Sequence, residues 1–249
     1  MKLPYDLEDP KDVKAVLGLI VLQADETLET EFRSALTDPD IRLFHSRIPS
    51  GTDLTPETLM QMKTDLPAAA ALLPKTAGFD VIGYACTSGA TFIGSDTVRD
   101  LIQHHHPNTA VTNPIVAALA AFKALNLKRI GFITPYVADV SAAMRALLEK
   151  EGLEIAAFGS FEQMEESRVA RISNQSVLNA LLQMGKEEHL DGIFVSCTNI
   201  NSFKIIEEAE RRLQKPVITS NQALLWHMLT LAGAPTPAAG PGYLFRKTN

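Results

Sequence analysis

Short apolar runs alternate with amphipathic stretches along almost the whole chain. The apolar runs predict strands at residues 15–22, 41–48, 80–85, 109–114, 129–134, 154–161, 192–196 and 216–220. The runs at 80–85 and 192–196 lack polar alternation, which is typical of parallel strands covered on both faces. Helical spacing follows these strands over residues 28–36, 55–73, 95–105, 115–125, 140–150, 174–184, 203–212 and 222–231. The alternation of strands and helices predicts an α/β fold.

The order of elements restarts near the middle of the chain. The run RIGFIT at 129–134 resembles the first strand, with Gly131 in the place of Gly18, and PVITS at 216–220 resembles the end of the first half. A period this long indicates a duplication. We therefore predict two pseudo-symmetric three-layer α/β domains, each with a mostly parallel four-stranded sheet. The first would comprise residues 1–113 and 221–249, the second residues 114–220, and the active-site cleft would lie between them.

The clearest copies are DVIGYACTSGATF at residues 80–92 and DGIFVSCTNINSF at 191–203. The second lies 111 residues after the first and places Cys197 where the first has Cys86; these are the only cysteines in the chain. Each cysteine follows a predicted strand and precedes a predicted helix. That edge of an open α/β sheet is where ligands bind, and a helix N-terminus attracts anions and lowers a thiol pKa.

Composition narrows the function classes. The chain has 249 residues, 46% of them hydrophobic and 21% charged, with a formal net charge of −6. The acidic balance argues against a nucleic-acid partner, and no apolar stretch is long enough to span a membrane. The charged N-terminal segment is unlike a secretory signal, so we predict a cytoplasmic protein with free thiols. The cysteine spacing predicts no metal site, and the glycine spacing predicts no nucleotide cofactor.

Two facing thiols are suited to acid/base chemistry at a carbon next to a carboxylate. One thiol can remove a proton from one face while the other returns a proton to the opposite face. The pair could instead act covalently, with one thiolate adding to a double bond. Thr87, Ser88, Thr198 and Asn199 would supply donors for the carboxylate and for the enolate charge. The structural alternative is that each cysteine is simply a small apolar residue at the end of a buried strand.

The CTS and CTN motifs, the GLIV run at 18–21, the VARI run at 169–172 and the segment 216–233 resemble the aspartate/glutamate racemase superfamily. Within it they resemble the maleate cis-trans isomerase and arylmalonate decarboxylase branch, which includes a sub-branch for ectoine utilisation. The resemblance implies cofactor-free catalysis by Cys86 and Cys197, a carboxylate pocket at the two motifs, a substrate contact from Tyr136, and a homodimer or higher assembly. Decarboxylases of this branch keep only the second cysteine, so two cysteines favour isomerisation or racemisation.

One position departs from this pattern. Where maleate isomerases have asparagine after the first strand, this chain has Asp25. An ionised aspartate repels a carboxylate and attracts an ammonium group, which favours an amino-acid-like substrate over maleate. Asp25 could also be a loop or helix-capping residue. We therefore predict a racemase or isomerase of a small carboxylic acid, either amino-acid-like or a dicarboxylate; maleate cis-trans isomerisation and a non-enzymatic small-molecule binding protein are the alternatives.

Overall fold

A computed structural model describes residues 1–7, 13–51, 53, 55–187, 189–237 and 240–247. The described residues form two four-stranded parallel sheets. The first contains β1 (Ala15–Leu22), β2 (Ile41–Ile48), β3 (Val81–Ala85) and β4 (Ala110–Thr112). The second contains β5 (Arg129–Tyr136), β6 (Glu154–Gln163), β7 (Gly192–Val195) and β8 (Val217–Thr219). The strand orders β2-β1-β3-β4 and β6-β5-β7-β8 are equivalent, which confirms the predicted duplicated α/β fold.

The helices of the first half are α1 (Leu28–Ala35), α2 (Pro56–Ala71), α3 (Thr87–Ile93), α4 (Ser95–Gln103) and α5 (Pro114–Ala124), with a 3₁₀ turn at Lys75–Ala77. Those that follow are α6 (Ala138–Lys150), α7 (Glu166–Val169), α8 (Asn174–Met184), α9 (Phe203–Leu213), α10 (Ser220–Leu231) and α11 (Gly242–Lys247). The short helices α3, α7 and α11 were not predicted, because fewer than eight residues give little periodic signal. None of the helices in the described ranges combines the length and apolarity needed to cross a bilayer.

The central strand of each sheet carries a glycine that admits a neighbouring side chain. All eight residues of β1 are buried. A Cβ atom on Gly18 would lie 2.9 Å from Ile82 Cγ1, and one on Gly131 would lie 2.6 Å from Met184 Sδ. Since ordinary Cβ contacts are longer, a larger residue at either of these equivalent positions would force the neighbouring side chain to shift. The match between Gly18 and Gly131 that the sequence suggested is therefore a packing requirement in both halves.

Helix α10 follows the second sheet but packs on the first. Met228 Sδ would lie 2.8 Å from a Cβ atom on Gly83 of β3, and His227 Nδ1 lies 2.8 Å from Thr112 Oγ1 of β4. The chain thus returns to the first sheet after β8, as the sequence suggested. The division into domains at residues 113/114 and 220/221 stays a prediction.

Glu31 of α1 caps a helix that belongs to the other half. Its carboxylate accepts hydrogen bonds from the backbone N–H groups of Ser202 and Phe203, the latter at 2.8 Å, and from Asn221 Nδ2 at 2.7 Å. These N–H groups lie at the start of α9, where a helix has no backbone acceptors of its own. Burial raises the pKa of Glu31 to about 7, against the opposing effect of these donors. One side chain therefore holds the beginning of α9 and of α10 against α1.

We predict that Glu31→Ala lowers the free energy of unfolding by about 2–4 kcal/mol, because it leaves two buried backbone N–H groups and one amide without an acceptor. Urea denaturation at pH 7.5 measures this. The control is Glu29→Ala on the same helix, whose ion pair with Arg47 at 2.9 Å is partly exposed and is expected to cost less than about 1 kcal/mol. Equal losses in the two variants would contradict the capping role.

Candidate active site

Cys86 is buried at the carboxyl end of the first sheet and caps α3. Its Sγ accepts a hydrogen bond from the N–H of Gly89 at 3.1 Å and lies 3.6 Å from Ser88 Oγ. A Cβ atom on Gly89 would lie 2.9 Å from Cys86 Sγ and 2.4 Å from the Tyr84 hydroxyl, so a larger residue would displace the thiol. The prediction that this cysteine stands between a strand and a helix is confirmed.

Cys197 occupies the matching place in the second sheet but has a different local structure. The predicted strand before it and the predicted helix from Phe203 are both present, but Cys197 does not cap that helix, because α9 starts six residues later and is capped by Glu31. Cys197 has a φ of +147°, which few residues other than glycine adopt. Its N–H donates to Ser220 Oγ at 3.0 Å, and its Sγ accepts from the N–H of Asn199 at 3.3 Å. These two hydrogen bonds oppose relaxation of the strained backbone.

The two Cys-Thr motifs meet directly. Thr87 Oγ1 lies 2.9 Å from Ser220 Oγ, the same oxygen that accepts the N–H of Cys197. In the other direction, Thr198 Oγ1 donates to the carbonyl of Ala85 at 3.4 Å, one residue before Cys86. The structure therefore brings the sequence-predicted motif residues together. It also shows that the threonine side chains are already bound within the protein, which the sequence did not reveal.

Asn199 connects the loop after β1 to α7. Its Oδ1 accepts the N–H of Glu26 at 2.9 Å, and its Nδ2 donates to Glu166 Oε2 at 2.8 Å. The hydroxyl of Thr27 donates to the Asn199 carbonyl at 3.0 Å. Asn199, which the sequence predicted to bind substrate, thus holds three segments together at the site: its own loop, the loop after β1 and the start of α7.

Asp25 is buried, with its two carboxylate oxygens in different surroundings. Oδ1 accepts hydrogen bonds from the N–H groups of Thr27 at 2.9 Å and Leu28 at 2.8 Å. This oxygen therefore has the helix-capping role that the sequence offered as an alternative. Oδ2 has no hydrogen bond of good geometry among the described residues. The Thr198 hydroxyl, which donates to the Ala85 carbonyl at 3.4 Å, is nonetheless close enough to the carboxylate to lower its pKa. Burial raises the pKa of Asp25, and the N–H groups of Leu28 and Thr27 act in the opposite direction.

Glu166 is a site residue that the sequence did not single out. It is only 3% exposed and begins α7, and burial raises its pKa to about 7 against the hydrogen bond from Asn199. In sequence it stands within a charged segment typical of a solvated surface. A cavity of about 300 Å³ reaches it, and neither cysteine is among the lining residues, which are Ala24, Glu26, Asp53, Glu165, Glu166 and Ser167.

Burial favours the protonated form of both thiols in this closed arrangement. Burial raises the pKa of Cys86 to about 12, with Ser88 and Gly89 opposing it. Burial also raises the pKa of Cys197 well above its ordinary value; the charge of Glu166 adds to the rise, and a hydrogen bond with Tyr136 opposes it. The expectation that a helix N-terminus lowers the thiol pKa is wrong here, because desolvation outweighs the N–H groups.

Tyr136 is buried at the end of β5, which is longer than predicted, and not in the loop beyond it. Burial raises its pKa, and the charges of Cys197, Glu166 and Cys86 act in the same direction. The ring therefore stands within electrostatic reach of both thiols. Within the described ranges, no group of three or more His, Cys, Asp or Glu residues is arranged to hold a metal ion.

Comparison with known proteins gives consistent similarities. The family model described as arylmalonate decarboxylase matches residues 17–245. The chain is 26% identical to a maleate isomerase of Nocardia farcinica over 93% of this chain and 95% of that protein. It is 28% identical to an arylmalonate decarboxylase of Bordetella bronchiseptica over 78% of this chain and 79% of that protein. Among solved structures, a variant of the maleate isomerase Iso from Pseudomonas putida S16 with maleate has a TM-score of 0.84 and 25% identity, covering 93% of this chain and 97% of that one.

The buried thiols predict a specific pH dependence of folding. In the unfolded chain they ionise near pH 8.5, whereas in the folded chain they stay protonated to higher pH. A raised folded-state pKa gives stability that is complete below about pH 8.5 and is lost as the pH rises, by up to about 1.4 kcal/mol per pH unit for each thiol. Denaturation at pH 8, 9 and 10 should show a smaller decline in the Cys86→Ser/Cys197→Ser double variant. The same slope in both proteins would contradict thiol burial.

Proposed function

The chain belongs to the arylmalonate decarboxylase family, as the resemblance of its two Cys-Thr motifs predicts, and from this premise we propose that it is a cofactor-independent isomerase of a small carboxylic acid. Cys86 and Cys197 are the proposed catalytic pair. We expect it to act in the cytoplasm as a homodimer or higher assembly.

One observation carries this proposal: the two cysteine motifs, contributed by different sheets, are joined through Ser220. Thr87 Oγ1 and the N–H of Cys197 both contact Ser220 Oγ, at 2.9 and 3.0 Å. A pair of structural cysteines would not need this arrangement, nor the uncommon backbone φ of Cys197. The arrangement holds the two motifs next to each other, which a pair of acid/base groups acting on one carbon needs.

For racemisation, the thiolate of one cysteine takes the α-proton and becomes a thiol, leaving an enolate of the substrate. The other thiol gives its proton to the opposite face of the same carbon and becomes the thiolate. The enzyme ends with its two protonation states exchanged, and the reverse reaction restores them. No proton or electron is gained overall, so the reaction needs no cofactor.

Similarity to maleate isomerases over 93% of the chain favours a second candidate, cis-trans isomerisation. One thiolate forms a C–S bond to an alkene carbon, and the electron pair moves onto the adjacent carboxylate-bearing carbon. The former double bond is then free to rotate, and loss of the thiolate restores the alkene in the trans form. The same two thiols serve this route.

The substrate carboxylate and the developing negative charge need hydrogen-bond donors. Because the side chains of Thr87, Thr198 and Asn199 are bound within the protein, we assign this role to backbone N–H groups of the two motifs. The N–H groups of Gly89, Cys197 and Asn199 are excluded, since they already donate to Cys86 Sγ, Ser220 Oγ and Cys197 Sγ. The hydroxyls of Ser88 and Tyr136 lie beside the thiols and are the proposed side-chain donors. Access of substrate to the buried thiols requires the cavity above Glu166 to widen.

Deuterium incorporation tests the proposal. Purified protein in heavy water, with no added cofactor, is followed by NMR with a panel of small amino acids and dicarboxylates. We expect exchange of an α-proton, reduced at least ~100-fold in Cys86→Ser and in Cys197→Ser, because each removes one acid/base group. Thr91→Ser, on α3 beside the site, is the control and should keep the wild-type rate.

Conversion of maleate to fumarate without α-proton exchange would support the covalent route. Exchange that persists in both serine variants would contradict the two-thiol mechanism. Ligand binding without turnover of any compound would favour a non-enzymatic binding protein.

A further inference from the structure

Two buried carboxyl groups, Asp25 and Glu166, lie near the thiols, and the only cation whose charge acts on either of them, among the described residues, is Arg47, which lowers the pKa of Asp25 without forming an ion pair with it. Among the described residues, no Lys, Arg or His forms an ion pair with either one. The guanidinium of Arg47 lies near, but it donates to the backbone carbonyls of Leu22 and Asp25 and to Glu29. Arg171 at the cavity mouth pairs with Glu26 at 2.9 Å. Arg47 and Arg171 therefore make their hydrogen bonds and ion pairs with groups other than the carboxylates of Asp25 and Glu166.

The surroundings of Asp25 Oδ2 are independent evidence for a ligand between these carboxyl groups. The residue is 4% exposed, and this oxygen has no hydrogen-bond partner within the described chain. A buried carboxylate oxygen without a donor is costly, and proteins retain such atoms where a ligand supplies the missing partner. Because Oδ1 already serves α1, Oδ2 is the atom available to a substrate.

Glu166 provides the second acceptor. Asn199 fixes one of its oxygens with a hydrogen bond of 2.8 Å, and Glu166 also lines the cavity of about 300 Å³. The charge of Asp25 affects the protonation of Glu166, which places the two carboxyl groups in one electrostatic environment. Like charges in such a site repel one another, and a cation between them relieves the repulsion.

We propose that Asp25 and Glu166 together bind a protonated amine of the substrate, so that the enzyme acts on amino acids in preference to dicarboxylates. This assignment of substrate class rests on the proposed isomerase function. A second substrate carboxylate at the same place would bring a third negative charge into a buried site. An ammonium group supplies both the missing donor for Asp25 Oδ2 and the balancing charge.

The same ammonium group would activate the thiols. The charge of Glu166 contributes to the raised pKa of both Cys86 and Cys197, and Asp25 contributes to that of Cys197. Neutralising these carboxylates removes part of the field that keeps the thiols protonated. Recognition of the amine and formation of a thiolate are thereby coupled.

Two isosteric substitutions isolate the charge from the packing. Asn at position 25 keeps an Oδ1 acceptor for Thr27 and Leu28, and Gln at position 166 keeps an acceptor for Asn199. Each replaces a carboxylate oxygen by an N–H donor. The double variant Asp25→Asn/Glu166→Gln is therefore expected to fold, and circular dichroism and thermal denaturation verify this. Glu151→Gln, on the exposed surface, is the control for the loss of one carboxylate charge outside the site, where the double variant loses two.

The experiment measures binding by calorimetry to two matched sets of compounds. One set is aspartate, N-acetylaspartate and succinate, the other glutamate, N-acetylglutamate and glutarate, with both enantiomers of the chiral acids. We expect the wild-type protein and Glu151→Gln to bind the free-amine member of at least one set at least ~10-fold more tightly than its partners. The double variant should lose that preference and bind the dicarboxylate at least as tightly as the amino acid.

Three results would overturn the proposal: no binding of either free-amine acid, a wild-type preference for succinate or glutarate, or undiminished amine preference in the double variant. The second would mean that the carboxyl groups act as neutral donors to a substrate carboxylate, and the last would mean that other groups recognise the amine. Deuterium exchange on the same samples separates this inference from the proposed function. Amine preference with neither α-proton exchange nor conversion of maleate to fumarate refutes the isomerase and keeps the charge recognition, whereas exchange without amine preference does the reverse.

Discussion

The closed site depends on side chains of one half that satisfy backbone groups of the other. Glu31 of α1 accepts the first N–H groups of α9, and Asn199 accepts the N–H of Glu26. Ser220, the first residue of α10, accepts the N–H of Cys197 and contacts Thr87. Because buried N–H groups without acceptors are costly, separation of the halves would expose several unpaired groups at once. The relative placement of the thiols is therefore set by hydrogen bonds as well as by apolar packing.

Formation of this site costs free energy, and packing in the rest of the fold offsets that cost. Two thiols, Asp25 and Glu166 are withdrawn from water, and Cys197 keeps a strained backbone. The compensating term is the apolar packing of two duplicated sheets, in which β1 is buried along its whole length and Gly131 admits Met184 onto the central strand of the second sheet. Strain and desolvation concentrated in one place, against regular packing elsewhere, are typical of a site arranged for chemistry.

The sequence predicted the regular part of this structure well. Apolar runs mark every strand within a few residues, and the shared cysteines reveal the duplication because a copied unit preserves spacing. The residues that complete the site were less visible. Glu166 and Ser220 act through contacts between segments far apart in the chain, and nothing in a local pattern distinguishes a buried glutamate from a solvated one. The raised thiol pKa was missed for the same reason, since desolvation depends on what folds over the sulfur.

Burial of the thiols also has a bearing on chemical damage. Oxidation of cysteine begins from an accessible thiolate, and the resting protein offers neither access nor charge at Cys86 or Cys197. An idle molecule is therefore protected from peroxide and from electrophiles of the cell. The thiols are exposed only while the cavity is open and a thiolate has formed. Loss of activity in an oxidising medium would therefore depend on the number of turnovers and not on the time spent in that medium.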